Sequence, residues 1–159
     1  MSNLATLLQE QGKLGEAAPL NREALSEQRR TLGGDHPSTL MSINNLANLL
    51  KDQGKLGVAE PLCREALAGS RRTLGDEHPD TLGSINNFAI LLDEQSKLGD
   101  AEPLYREALA GRMRTLGDEH PTMLASINNL ANLLKNQARW VMPSHSSARL
   151  WLGKAHAGG

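Results

Sequence analysis

Met41-Ser-Ile-Asn-Asn-Leu-Ala-Asn-Leu-Leu50 is written out repeatedly in this chain. Its centre, Asn45-Leu46-Ala47, is already present as Asn3-Leu4-Ala5 and returns as Asn87-Phe88-Ala89 and Asn129-Leu130-Ala131, each 42 residues after the last. A fixed period of roughly 20–50 residues marks a solenoid, whose units bury their apolar faces only against their neighbours. The second and third units are identical at about three-quarters of their positions, which suggests recent duplication or a consensus-like array.

Each period reads as two helices. Placed at about 100° per residue, Leu40, Ile43, Leu46, Ala47 and Leu50 share one broad arc, which Leu49 widens. The polar strip left over is narrow: Met41, Asn44, Asn45, Asn48, Lys51 and Asp52. A helix apolar over most of its circumference is packed on two sides, as the inner layer of a solenoid would be. Gly54 and Gly57 then supply a tight turn. A second helix is expected from near Val58, with Pro61 in its first turn. Ala59, Leu62, Cys63, Ala66, Leu67, Ser70, Thr73 and Leu74 face inward, and Glu60, Arg64, Glu65, Arg71 and Arg72 face out. Gly75 stops this helix and Pro79 opens the next. Lengths of about 15 and 17 residues correspond to roughly 22 and 26 Å.

The units are expected at 1–36, 37–78, 79–120 and, in part, 121–142. The first begins inside an inner helix and continues with an outer helix over Leu14 to Leu32. The last supplies only an inner helix. Ala138 replaces the turn residue found as Gly12, Gly54 or Ser96, so that helix is expected to run on until Pro143 ends it near Val141. Residues 143–159 form a divergent tail. Ala148, Trp151, Leu152 and Ala155 recur there at helical spacing, which suggests one short helix over 146–156. That tail folds back in place of the missing outer helix, docks on another copy, or stays disordered.

Composition narrows the function. A net charge of −1 provides no general field for nucleic acid or anionic lipid, and 3% aromatics provide no base-stacking platform. The longest apolar runs are too short to span a bilayer, and the start lacks a signal peptide's pattern. One cysteine, Cys63, excludes an intrachain disulfide framework. A cytoplasmic protein is the expectation. No Gly-rich phosphate loop, paired-carboxylate cleft or triad spacing stands out, so neither enzymatic activity nor a cofactor is expected.

The half-period Asn45-Leu46-Ala47…Leu50…Gly54-Lys55-Leu56…Ala59…Ala66-Leu67…Pro79 resembles the tetratricopeptide repeat, with eight residues added in Ala68 to Glu77. Together with Arg-Arg-Thr-Leu-Gly-Asp-Glu-His-Pro at 71–79, it is similar to the repeats of kinesin light chains and related 42-residue proteins. The match covers about residues 3–137. The resemblance implies an all-α, right-handed α-solenoid of about three and a half antiparallel helix pairs. It also implies that the first helices line a concave groove holding a peptide or protein segment. The groove asparagines would be Asn3, Asn45, Asn87 and Asn129. Beside them lie Asn44, Asn86 and Asn128, then Asn48, Ile90 and Asn132, then Lys51, Asp93 and Lys135.

An amide is both donor and acceptor, so a row of asparagines can read an extended main chain without demanding a sequence. The competing role is to tie one helix to an adjacent turn. His36, His78 and His120 recur singly, about one packed-helix spacing of roughly 10 Å apart. They are therefore expected to be structural loop residues, not metal ligands near 2 Å from one ion. Cys63 has no His–acid pair and reads as a partly buried thiol, not a nucleophile. The clusters at Arg29-Arg30, Arg71-Arg72 and Arg112/Arg114 are expected to solvate the convex face and complement helix ends. Two functions remain: a peptide-binding scaffold, and a self-associating module whose incomplete end repeats join copies into a homo-oligomer.

Overall fold

The computed structural model describes residues 7–8, 11–116 and 121–141, except the side chains of 139–141. Asn3, His120 and the expected tail helix over 146–156 lie outside the described residues. Six helices and no strand occur among the described residues: α1 (Leu14–Leu32), α2 (Pro37–Asp52), α3 (Leu56–Leu74), α4 (Pro79–Glu94), α5 (Leu98–Leu116) and α6 (Pro121–Val141).

The helices alternate between two layers. Pairs α2–α3 and α4–α5 form hairpins, each second helix also packs on the next first helix, and α2–α4 and α4–α6 touch along the first-helix layer. One continuous apolar cluster runs from Ala17 to Leu133. Its residues recur at the helical spacing of the sequence: Ile43 and Ile85 are fully buried, as are Ala59 and Ala101, and Leu49, Leu91 and Leu133. The result is an all-α solenoid.

Small residues bring the layers together. A methyl group added at Gly69 would collide with the side chain of Leu40, and one at Gly111 would collide with Leu82. Both leucines are buried, each seated against the second helix of its own hairpin. The hairpin turns are equally repetitive. Gly12 and Gly54 adopt φ of 73°, and Ser96 takes the same place with φ of 61°. That left-handed conformation suits glycine and strains a residue with a Cβ.

The second helices begin two residues earlier than the apolar pattern indicates. The Lys55 carbonyl accepts from both Val58 and Ala59 at 3.1 Å, which closes a turn starting at Leu56. Pro61 is consequently the sixth residue of α3, beyond the first turn. Its missing N–H leaves the carbonyl of Gly57 without a helical donor, and Gly57 is exposed to solvent. First helices are opened by histidine: the Nδ1 atoms of His36 and His78 accept from the backbone N–H groups of Ser38 and Asp80, each at 3.2 Å. They are N-caps, followed by proline at the first helical position.

Helix α6 has 21 residues against 16 in α2 and α4. Its packing differs as well. Leu124, Ile127 and Leu134 are 63, 45 and 37% exposed, whereas the equivalent Leu40, Ile43 and Leu50 of α2 are at most 2% exposed. In α2 that face is covered by the second helix of the same repeat; no described residue covers it in α6.

Candidate functional site

Successive first helices present their polar strips side by side, so residues 42 apart in sequence become neighbours. The Asn44 amide donates to Ser84 Oγ at 2.6 Å, and Ser84 in turn donates to the Asp80 carbonyl at 2.9 Å. Asn129 donates to Asn86 Oδ1 at 3.3 Å. Asn44 and Asn86 thus lock one first helix to the next, the tying role that an amide at a helix contact can fill.

Asn45 and Asn87 are placed differently. Asn45 is exposed, Asn87 is half-buried, and neither side chain makes a hydrogen bond among the described residues. Both border an open cleft of about 190 Å³ between the amino-terminal halves of α2 and α4. Met41 and Asn44 stand on the α2 side, Asp80 and Gly83 on the α4 side, and Ser70 and Leu74 of α3 close one end. Farther along, Asn48 is half-buried, Ile90 packs on the core, and Asn128 and Asn132 are exposed.

The charged positions are tied into the scaffold. Lys51 lies 3.1 Å from Asp52 and 3.4 Å from Glu94 in the next first helix. Burial opposes its charge, but the two carboxylates outweigh this and hold its pKa above the ordinary value. Asp93, one period on, is pushed up by burial, against a hydrogen bond from Tyr105. Tyr105 is raised by its own burial and by the Asp93 charge. Lys135 is exposed on α6.

On the other layer the arginines reach across repeats. Arg29 meets Glu65 at 2.7 Å, and one period later Arg71 meets Glu107 at 2.5 Å. Arg72 pairs with Asp35, and Arg114 with Glu77. Such exposed pairs contribute about 0–1 kcal/mol each. A second cleft, of about 480 Å³, lies between α1 and α3 over Leu46 and Leu50, walled by Arg22, Arg29, Val58 and Leu62. It contains no asparagine.

One ladder escapes the pattern reading. Gln53, Gln95 and Gln137 donate from Nε2 to the carbonyls of Leu14, Leu56 and Leu98, at 2.6, 3.4 and 3.5 Å. Gln53 and Gln95 tie the ends of their first helices, and Gln137 the corresponding turn of the longer α6, to the start of the preceding second helix. The available signal was the recurrence of glutamine every 42 residues at the close of the first helix.

Among the described residues no helix is long and apolar enough to cross a membrane. A tetratricopeptide repeat family model matches residues 1–38, 39–80 and 81–122. No protein of curated function matches the chain. Among solved structures, a kinesin light chain-like protein of nearly identical TPR-like repeats from Podosopora anserina superposes with a TM-score of 0.81 at 31% identity, over 86% of this chain and 64% of that one. A single-substitution variant of that protein gives a TM-score of 0.78 at 32% identity, over 82 and 62% of the two chains. BtubC (BKLC) from P. vanneervenii gives a TM-score of 0.78 at 25% identity, over 85 and 54%. The present chain therefore spans somewhat over half the length of these structures.

Proposed function

Because the chain belongs to the tetratricopeptide repeat family, whose repeats generally mediate protein–protein interaction, we propose that it is a non-enzymatic scaffold holding an extended peptide or protein segment in a concave groove along its first helices. The observation that carries this reading is the placement of Asn45 and Asn87 on one cleft, with their amides unengaged among the described residues. Amides there satisfy a visiting main chain through N–H and C=O alike. Asn48, Asn128, Asn132 and Lys135 extend the face, Lys51 and the ties Asn44–Ser84 and Asn129–Asn86 set its register, and Asn3 continues the series by sequence. We place the protein in the cytoplasm, in keeping with its single free, buried cysteine.

The test is a peptide array read with wild type and Asn87→Ala. The variant should weaken bound peptides by roughly tenfold, the worth of one or two direct hydrogen bonds, while its melting temperature stays within a degree or two. A large fall in stability with unchanged binding would assign Asn87 to the scaffold instead.

A second reading is favoured by one observation, the exposed Leu124, Ile127 and Leu134 of α6. In it, two copies bury this face against each other or exchange carboxy-terminal segments. Sedimentation velocity across a hundredfold range of concentration separates the readings: a concentration-independent monomer rules self-association out.

A further inference from the structure

Glycine inside an α-helix costs about 1 kcal/mol against alanine, so each one invites a reason. Gly69 and Gly111 have theirs in the leucines that occupy the adjoining space. Gly83, the fifth residue of α4, has none of that kind. Its φ is not positive, and a Cβ built on it would meet nothing within 4 Å. The equivalent positions in the neighbouring first helices hold Met41 and Ala125. Neither backbone geometry nor crowding requires glycine here.

What the missing side chain does is open the cleft between α2 and α4. Gly83 lies on its wall between Asp80, one turn before, and Asn87, one turn after. Leu74 and Met41 supply apolar surface around the same space, and Met41 is 55% exposed. Asp80 is the only charged residue among the described residues of the lining, and its side chain is 58% exposed. Ser38 and Thr122 stand at the equivalent places, so the carboxylate is peculiar to this repeat.

Resting on the groove reading above, we infer that Gly83 and Asp80 set the specificity of the groove. An extended peptide seats one leucine- or methionine-sized side chain in the notch beside Gly83, against Met41 and Leu74. Asn45 and Asn87 hold the peptide's main chain, and a lysine or arginine next to the anchor faces Asp80. A notch of this size takes one side chain and no folded element.

The test uses the full chain and fluorescein-labelled nine-residue peptides whose central residue is Gly, Leu or Met, followed by Lys or Glu. By anisotropy, Leu-Lys and Met-Lys peptides should bind about tenfold tighter than Gly-Lys ones, as expected for burying one such side chain. Replacing Lys with Glu should weaken binding, by less at high salt. Gly83→Met should reduce the Leu-Lys peptide to the level of the Gly-Lys peptide, so that the tenfold preference for the leucine disappears. Met41 at the equivalent position shows that the helix accommodates that side chain, and a thermal melt checks it. If Gly83→Met binds the Leu-Lys peptide as wild type does while Asn87→Ala weakens every peptide, the notch is refuted and the groove stands. If no peptide binds, or neither substitution matters, both fall together.

Discussion

Leu40 fills the space where a side chain on Gly69 would begin, and Leu82 does the same to Gly111 one period later. The bare turns of α3 and α5 leave room for these leucine side chains between the two helices of each hairpin. Gly69→Ala would gain about 1 kcal/mol from helix propensity. It would also force Leu40, 2% exposed, out of its seat, and overpacking of this kind costs about 1–3 kcal/mol. The expected outcome is a net loss of about 1 kcal/mol in urea unfolding, largely relieved in the Leu40→Ala background. Gly83→Ala is the control, since nothing stands near its Cβ, and it should gain up to about 1 kcal/mol. Equal stabilisation by both alanines would mean that the Leu40 contact costs nothing to displace.

Ser96 closes the α4–α5 turn at φ of 61°, where Gly12 and Gly54 close theirs at 73°. Its N–H donates to the Asp93 carbonyl at 2.8 Å, matching the bond from Gly54 to Lys51. The turn therefore needs this conformation, and serine bears a Cβ penalty of about 1–2 kcal/mol for adopting it. Ser96→Gly removes the penalty but enlarges the unfolded ensemble by about 0.4–1 kcal/mol. The balance favours the variant by roughly 0.5–1 kcal/mol, and a thermal melt should show it. A lower melting temperature would mean that the serine side chain contributes something the turn geometry does not reveal.

These two positions also show what the chain's text discloses. The apolar arc of the first helix needed only a 3.6-residue period, and Leu40, Ile43, Leu46, Ala47, Leu49 and Leu50 are all buried. The start of α3 was harder, because its cap is the backbone carbonyl of Lys55, which leaves no mark in residue type. The asparagines were harder still. Asn44 and Asn45 differ by about 100° on the helix. That rotation sends one amide to Ser84 and leaves the other on the cleft. Periodicity identified the strip but could not say which amide the next helix would claim. Gln53 posed the same difficulty, since its partner is a carbonyl 39 residues away. Arg29, Arg30, Arg71, Arg72 and Arg114 lie in the last helical turns, as helix-end complementation requires, and Glu65 and Glu107 also receive Arg29 and Arg71 across the repeat boundary. Arg112 departs from that expectation: it is half-buried and donates to Ser126 Oγ of the next first helix, a partner that residue type alone does not reveal.

Glu60 stores pH sensitivity between two repeats. Lys97, at 2.9 Å, is the main cause that lowers its pKa to about 2, followed by Arg64 at 2.8 Å and Gln95. A carboxyl with a folded value below its ordinary value near 4.5 adds stability above that ordinary value. The contribution fades as pH falls from about 4.5 and is gone once pH passes below about 2. Wild type should therefore exceed Glu60→Gln in stability at pH 7, with the gap narrowing through that acid window. Urea midpoints at pH 7, 4 and 2.5 measure it. A gap that stays constant with pH would show that the carboxyl titrates alike in both states.

Cys63 is 2% exposed on the inner side of α3. Burial chiefly, then the nearby Glu60 charge, pushes its thiol up to about 11, with Lys51 acting in the opposite direction. Thiolate is the attacking species, and at pH 8 its fraction falls about a hundredfold relative to a thiol of ordinary pKa near 9. Packing adds to this, because a disulfide reagent has to reach the sulfur through the hairpin. Native protein at pH 8 should therefore react with Ellman's reagent at least about a hundredfold more slowly than glutathione. In unfolding urea the rate should rise to that of a free thiol. Glu60→Gln removes one of the two causes and should speed the native reaction modestly if opening is local. Immediate, complete labelling of the native chain would place the sulfur at the surface and break the inner face assigned to α3.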